Sequence, residues 1–309
     1  ITQGVSRILV PVVNSKHCVV GVLESAAREN VQGFENKKLL FTMKKIHSKI
    51  KGKTLKSYCE NKSIPYRLMN SSDDMGLEDW VRNINPDIIV IFSMSQLLKD
   101  CVFSIPKLGA INLHPSMLPA YRGPNPDFWQ YYNMEMEPGV TVHYIDKGED
   151  TGDIISQKRV YIPLGTKSPE RLDKIISDCG VNILLSVLED ISKGNIKRVK
   201  QQKENFTERA RNLTSEEHDT IIDWCNWSTE KIWHVLCGTE LWLNALPQPK
   251  GLYRGQRWTI EEFDNDVEAN MIPGLIYTQS HRRFVATKDG RIFISVQFNL
   301  KLFILSFLS

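Results

Sequence analysis

Short runs of β-branched and apolar residues alternate with helix-forming segments from residue 17 to residue 192, and this alternation narrows the folds open to the chain. The clearest run is Asp87-Ile88-Ile89-Val90-Ile91-Phe92, which follows Asn85-Pro86, a pair that ends the helix read over residues 77–83. A continuous apolar run of that length suits a strand buried on both faces. Further strands are read at residues 17–24, 64–68, 110–114 and 140–145, with an extended stretch over 153–162. Helices are read at residues 34–61 (broken at Gly52), at 126–132, and from Ser168 as N-cap, with Pro169 next, to about 192. The expectation is an α/β fold: a Rossmann-like, mostly parallel sheet with helices on both faces, binding ligands outside the carboxyl ends of its strands.

After Gly194 the character changes. Residues 195–211 are charged and Gln-rich and read as a linker with little to bury. Beyond them lie Ile221-Ile222-Asp223-Trp224, a helix near 229–237, and short strands at 258–262, 274–278, 284–287 and 291–296. Asp289-Gly290 joins the last two as a hairpin turn. The chain is therefore divided into a larger domain over residues 1–195, a linker over 196–215 and a small β-rich C-terminal domain over 216–309. Trp224, Trp227, Trp233 and Trp242 are read as core of the small domain.

Composition works by exclusion. With 39 Lys and Arg against 36 Asp and Glu, the net charge of +3 does not by itself argue for nucleic acid. The basic stretches at 37–62 and 193–211 read as solvated faces. Six cysteines without C-x-x-C spacing read as reduced, mostly buried thiols of a cytoplasmic protein. His17, His47, His218, His234 and His281 form no ligand-spaced pair, so no metal site is expected. No signal peptide is read at the start, and the apolar run from 298 to 308, about 11 residues, is too short to cross a bilayer.

The chemistry concentrates in Asn112, His114 and Asp150, set in Asn112-Leu113-His114-Pro115-Ser116-Met117-Leu118-Pro119 and Glu149-Asp150-Thr151-Gly152-Asp153. Asn112 and His114 lie two apart on one strand, so their side chains share a face roughly 6–7 Å apart. For an amine attacking a formyl carbon, the Asn112 amide is the expected oxyanion donor. His114 serves as imidazolium or proton shuttle, and Asp150 raises its basicity and accepts the proton. His143 reads as a core or supporting histidine.

These residues resemble the formyltransferase family that uses 10-formyltetrahydrofolate: Asn112 to Pro119 match its Asn-x-His-Pro-Ser-x-Leu-Pro motif, and Asp150, 36 residues beyond His114, matches its catalytic aspartate. The likeness covers about 195 residues, and the module after Ile221 looks like a reduced C-terminal domain of the methionyl-tRNA formyltransferase branch. The resemblance implies 10-formyltetrahydrofolate as co-substrate. It implies that the folate lies against Met94, Gln96, Leu97 and Leu98, with Ile145, Asp146, Gly148 and Glu149 closing over the other edge of the pterin. Ser116, Tyr121 and Arg122 are the expected acceptor contacts, and a homodimer is implied by likeness alone. The family opens with a complete strand where only Ile1 to Gly4 stand here, implying residues upstream or a sequence that gives only an ordered part.

Three acceptor readings stay open. The first is the amine of a nucleotide-linked sugar, such as a dTDP-4-amino-4,6-dideoxyhexose for O-antigen or capsule. It leads because Tyr121-Arg122-Gly123-Pro124-Asn125-Pro126 departs from the small apolar sequence of tRNA enzymes. The second is initiator methionyl-tRNA, in which case nucleic acid is a partner. The third is a formyl-folate hydrolase or binding protein.

Overall fold

The computed structural model describes residues 10–13, 19–25, 55–69, 73–92, 96–167, 171–202, 207–239, 243–249, 256–266 and 270–298. Seven strands form the larger sheet: β1 (Val10–Val13), β2 (Val19–Ser25), β3 (Tyr66–Met69), β4 (Ile88–Phe92), β5 (Ala110–His114), β6 (Gly139–Tyr144) and β7 (Ile154–Arg159). Their order is β3-β2-β1-β4-β5-β6-β7. The α/β class is the one the sequence implies, and five of these strands run one way. The hydrogen-bonded pairs are nevertheless mixed: β2–β3 and β4–β5 are parallel, whereas β1 and β6 run against both neighbours. Chain length explains the two reversals. Only residues 14–18 join β1 to β2 and only 145–153 join β6 to β7, too few for a parallel crossover.

Strand β4 is buried on both faces, as its unbroken apolar run requires. Ile88 and Val90 enter a layer with Ile111, Leu113, Val140 and Val142, whereas Ile89 and Ile91 enter another with Leu77, Val81, Val102 and Ala110. The first layer is closed by α5 (Ser177–Lys193), preceded by a π-helical turn at Arg171–Ile176. Its Cys179, Ile183, Val187 and Ile191 recur every fourth residue and form the buried stripe. The second layer is closed by α2 (Leu77–Ile84) and α3 (Asp100–Phe103); a short α1 (Leu55–Asn61) leads into β3. Helix α2 ends at Asn85, left-handed at φ +50°, just before Pro86, as the Asn-Pro pair predicts.

The smaller module holds α6 (Glu217–Thr220), α7 (Thr229–Thr239) and an antiparallel sheet of β8 (Gln256–Asp264), β9 (Ile276–Gln279), β10 (Arg282–Ala286) and β11 (Arg291–Phe298), ordered β8-β11-β10-β9. The turn at Asp289-Gly290 forms as expected, with Thr287 N–H donating to Gly290 O at 2.9 Å. Trp224, Trp227 and Trp233 pack against the core of this module. It is joined to the larger domain through α4 (Pro126–Tyr132) and α7: the Tyr131 and His234 rings stack with centroids 3.7 Å apart. A Cβ at Gly238 would lie 2.2 Å from Tyr131 Cε1, so only glycine admits that ring.

The strand read at Ile1 to Gly4, most of the helix at 34–54, the Ser168 cap, Met94, Trp242 and the tail beyond 298 lie outside the described residues. Among those described, no helix is long and apolar enough to cross a membrane, and no group of three or more His, Cys, Asp or Glu could hold a metal ion. Cys59, Cys179 and Cys237 are buried, whereas Cys101 and Cys225 are exposed.

Candidate active site

In the β5–β6 ladder Asn112 stands opposite His143, and His114 opposite Thr141. Facing residues of an antiparallel pair project to one side. All four polar side chains therefore share a face, while the alternate residues Ile111 and Leu113 enter the core. Beyond His114 the chain folds back on itself. Ser116 N–H donates to His114 O (2.9 Å), Thr141 Oγ1 donates to Ser116 O (2.6 Å), and Gln157 Nε2 donates to Leu118 O (2.7 Å). Tyr121 and Gly123 are left-handed at φ +55° and +100°. A Cβ on Gly123 would sit 2.5 Å from Ala210 O.

The third residue arrives on the β6–β7 turn. Asp146 organises that turn internally, accepting from Gly148 N–H (3.0 Å) and Thr151 Oγ1 (2.6 Å), and Asp150 itself is left-handed at φ +53°. Its carboxylate reaches across to the other turn: Oδ2 accepts from Gly123 N–H at 3.0 Å and lies 3.6 Å from His114 Nδ1. Its Oδ1 lies 3.4 Å from Asn112 Nδ2 and 3.6 Å from His143 Nε2. Asn112, His114 and His143, up to 38 positions away in the sequence, thus meet around the Asp150 carboxylate.

The electrostatics of the cluster depart from one expectation. Burial pushes the His114 imidazole below its ordinary value, and the Asp150 carboxylate and Tyr121 carbonyl restore only part of it. The ring is therefore neutral near pH 7, not a standing imidazolium, because its surroundings are dry. Its Nε2 lies 3.0 Å from Tyr121 O, so Nε2 carries the proton and the Nδ1 lone pair faces Asp150. Burial also pushes the Asp150 carboxyl up, but the His114 and His143 rings and the Gly123 N–H outweigh it. The group is held well below the usual carboxylate range.

Asn112 differs from expectation too. Its Nδ2 serves His143 Nε2 (3.3 Å) and Asp150 Oδ1, so the amide hydrogens meant for an oxyanion are already engaged. Its Oδ1 is instead buried without a protein partner among the described residues. A buried acceptor left in that state is costly unless a ligand donor meets it.

The segments expected at a flat heterocycle meet at one end of the sheet. Leu98 and Ile145 pack on the same cluster, Ile145 N–H donates to Ala110 O (2.8 Å), and Lys147 Nζ pairs with Asp100 Oδ2 at 2.9 Å. Gln96 is buried, and Leu97 is 69% exposed. The three expected acceptor contacts have protein partners in this structure. Ser116 is fully buried and its hydroxyl donates to Ala120 O (2.7 Å), so it braces the turn. Tyr121 is buried, giving its N–H to Thr207 Oγ1 (2.7 Å) and its carbonyl to His114. Arg122 is buried, donating to Gln201 Oε1 from Nη2 (2.6 Å) and Nε (3.2 Å) and to Gln202 O (3.2 Å).

Those partners belong to the stretch read as a linker, which lies across both catalytic turns. Val199 bridges to Ile154, Gln201 Nε2 donates to Asp150 O (2.9 Å) and Gly152 O (2.7 Å), and Ala210 N–H donates to Arg122 O (2.8 Å). Arg209 forms a two-pronged pair with Glu149, at 2.5 and 2.6 Å. Glu149, expected at the folate, is thus held by this strap. No sequence signal marks Gln201 or Thr207, because a Gln-rich charged stretch reads as solvated. His143 had a signal, since Thr141 and His143 interrupt the apolar run of β6 at alternate positions.

Residues 6–188 match the family model described as Formyl transferase. The chain is 35% identical over 214 residues to a methionyl-tRNA formyltransferase of Clostridium beijerinckii, a match covering 68% of this chain and 66% of that protein. The chain thus spans just under two thirds of that relative's length. Two solved structures share the fold. One is an N-formyltransferase of Helicobacter canadensis in complex with folinic acid and dTDP-3-aminofucose, at 20% identity, TM-score 0.51 and coverage of 79% of this chain and 83% of that one. The other is HypX of Aquifex aeolicus in complex with tetrahydrofolic acid, at 18% identity, TM-score 0.53 and coverage of 78% and 41%.

Proposed function

Because the chain belongs to the Formyl transferase family, we propose that it is an enzyme moving the formyl group of 10-formyltetrahydrofolate to an amine. The observation that carries this reading is the convergence of Asn112, His114 and Asp150, with Asn112 Oδ1 buried and awaiting a donor. The folate supplies an activated one-carbon unit. The attacking amine donates an N–H to Asn112 Oδ1, which orients its lone pair for bond formation. As the new C–N bond forms, the nitrogen must lose a proton. His114 Nδ1 takes it, and Asp150 stabilises the resulting imidazolium. That cation in turn supports the negative charge gathering on the formyl oxygen; as the tetrahedral intermediate collapses, the C–N10 bond breaks, the His114 imidazolium returns its proton to N10, and tetrahydrofolate leaves. The pterin lies between 96–98 and 145–149, where exposed Leu97 offers it an apolar face.

The acceptor in this reading is an amino sugar carried on a nucleoside diphosphate. Residues 216–309 carry nine Lys and Arg against twelve Asp and Glu. Two of those arginines are engaged by acids: Arg282 by Glu262 (2.7 Å), and Arg291 by Asp264 and Asp266 (2.9 Å each). Gripping a tRNA backbone needs broad phosphate neutralisation, which an acidic balance does not favour. The second reading, formylation of initiator methionyl-tRNA, is favoured by the identity to methionyl-tRNA formyltransferase. A formylation assay with 10-formyltetrahydrofolate and a panel of dTDP-4-amino and dTDP-3-amino hexoses, GDP-perosamine and charged initiator tRNA separates them. The proposal predicts a product with one of the sugars; formylation of tRNA alone establishes the second reading.

A further inference from the structure

We propose that Gln201 is a positioning residue that locks the two catalytic turns in register, so that the strap formed by residues 199–202 and 207–212 completes the active site instead of merely leading to the next domain. The claim deepens the formyl-transfer reading and rests on it. Both ends of the Gln201 amide are spent on this task. Its Nε2 donates to Asp150 O and Gly152 O on one turn, and its Oε1 accepts both Arg122 hydrogen bonds from the other. Arg122 precedes Gly123, whose N–H holds the Asp150 carboxylate at 3.0 Å. The contacts close a ring: Asp150 main chain, Gln201, Arg122, Gly123, Asp150 carboxylate.

Such a device is needed because neither turn is stable in this form by itself. Tyr121 and Asp150 are non-glycine residues in the left-handed region, which persists only where surrounding contacts over-determine it. Those contacts come from the strap. Thr207 takes Tyr121 N–H, Ala210 N–H takes Arg122 O, and Gln201 takes the carbonyls on either side of Thr151. The groups facing Asp150 are His114 from β5, His143 from β6, Gly123 N–H from the first turn, and the neighbouring Glu149, which Arg209 of the strap pairs. Releasing Gln201 frees Gly123 from the carboxylate while leaving both histidines in place.

The test uses Gln201→Ala and Gln201→Glu in the whole chain. The Glu variant still accepts from Arg122 but sets a carboxylate oxygen against two carbonyls, so it separates anchoring Arg122 from holding the Asp150 turn. Asp-selective carboxyl labelling, assigned through Asp150→Asn, follows the Asp150 titration by NMR with no substrate present. Both variants are expected to titrate at higher pH than wild type. In the transfer assay, kcat falls roughly 10- to 100-fold, as a misplacement of about 1 Å does, while KM for the folate stays within about twofold. Gln202→Ala, a change to an exposed strap side chain that takes part in none of these contacts, keeps the wild-type titration. An unchanged Asp150 titration in Gln201→Ala, or the same displacement in Gln202→Ala, overturns the proposal. The NMR result stands whether or not formyl transfer is detected, so failure of the reaction reading is seen separately.

Discussion

The unprotonated Nδ1 of His114 faces the ionised Asp150 carboxylate at 3.6 Å, and the reaction assigned to them consists of filling that space with a proton. His114→Ala and Asp150→Asn are each expected to lower turnover about 10²-fold or more without unfolding the chain, measured by steady-state formyl transfer beside a thermal melt. Asn112→Ala loses the oxygen offered to the amine and the amide that steadies Asp150. A cost of about 1.5–3 kcal/mol in transition-state stabilisation, that of a lost hydrogen bond to a group becoming charged, is expected there, read from kcat/KM. The depressed His114 basicity also has a consequence for stability. Below its ordinary value of 6.5 the unfolded chain binds a proton at His114 that the native state resists, so stability falls as pH drops through and below that value. Asp150 adds to the loss only at lower pH, once unfolded carboxyls begin to protonate. Urea midpoints of wild type and His114→Asn from pH 7.5 to 5 read the first effect, and the variant's profile should be flatter.

At the scale of elements, two close approaches carry most of the geometry. Gly123 lies under the strap, and Gly238 admits the Tyr131 ring at the joint of α4 and α7. Gly238→Ala is expected to destabilise by about 1–3 kcal/mol through overpacking, seen as a lower denaturant midpoint with an unchanged slope. Gly123→Ala combines a similar clash with a left-handed backbone, and should lose activity along with stability. These elements also show what the sequence reveals and what it conceals. Strands β4 and β5 were legible because one is an unbroken apolar run and the other places Asn112 and His114 two apart before a proline turn. The antiparallel course of β1 and β6 was not, because apolar patterning carries no information on strand direction, and Val10–Val13 was not read as a strand at all. Gln201, Thr207 and Arg209 were hidden for another reason: their partners lie 79, 86 and 60 residues away, and polar side chains give no local sign of such contacts.

For the whole molecule, the acceptor proposed above rests on charge and not on the catalytic cluster, which would serve any amine. The small module, acidic in balance with Arg282 and Arg291 paired, predicts that acceptor affinity changes little between 50 and 200 mM salt. A tRNA ligand making 6–10 phosphate contacts would lose ~10³–10⁵ over that range. Equilibrium binding at the two salt concentrations decides between them. The central claim concerns the reaction, and its most direct measurement is single-turnover transfer of a labelled formyl group from 10-formyltetrahydrofolate to amine acceptors, comparing wild type with Asp150→Asn. Rapid labelling of an acceptor by wild type, slowed about 10²-fold or more in a folded Asp150→Asn, is the predicted result. Equal rates in the two proteins would contradict the account.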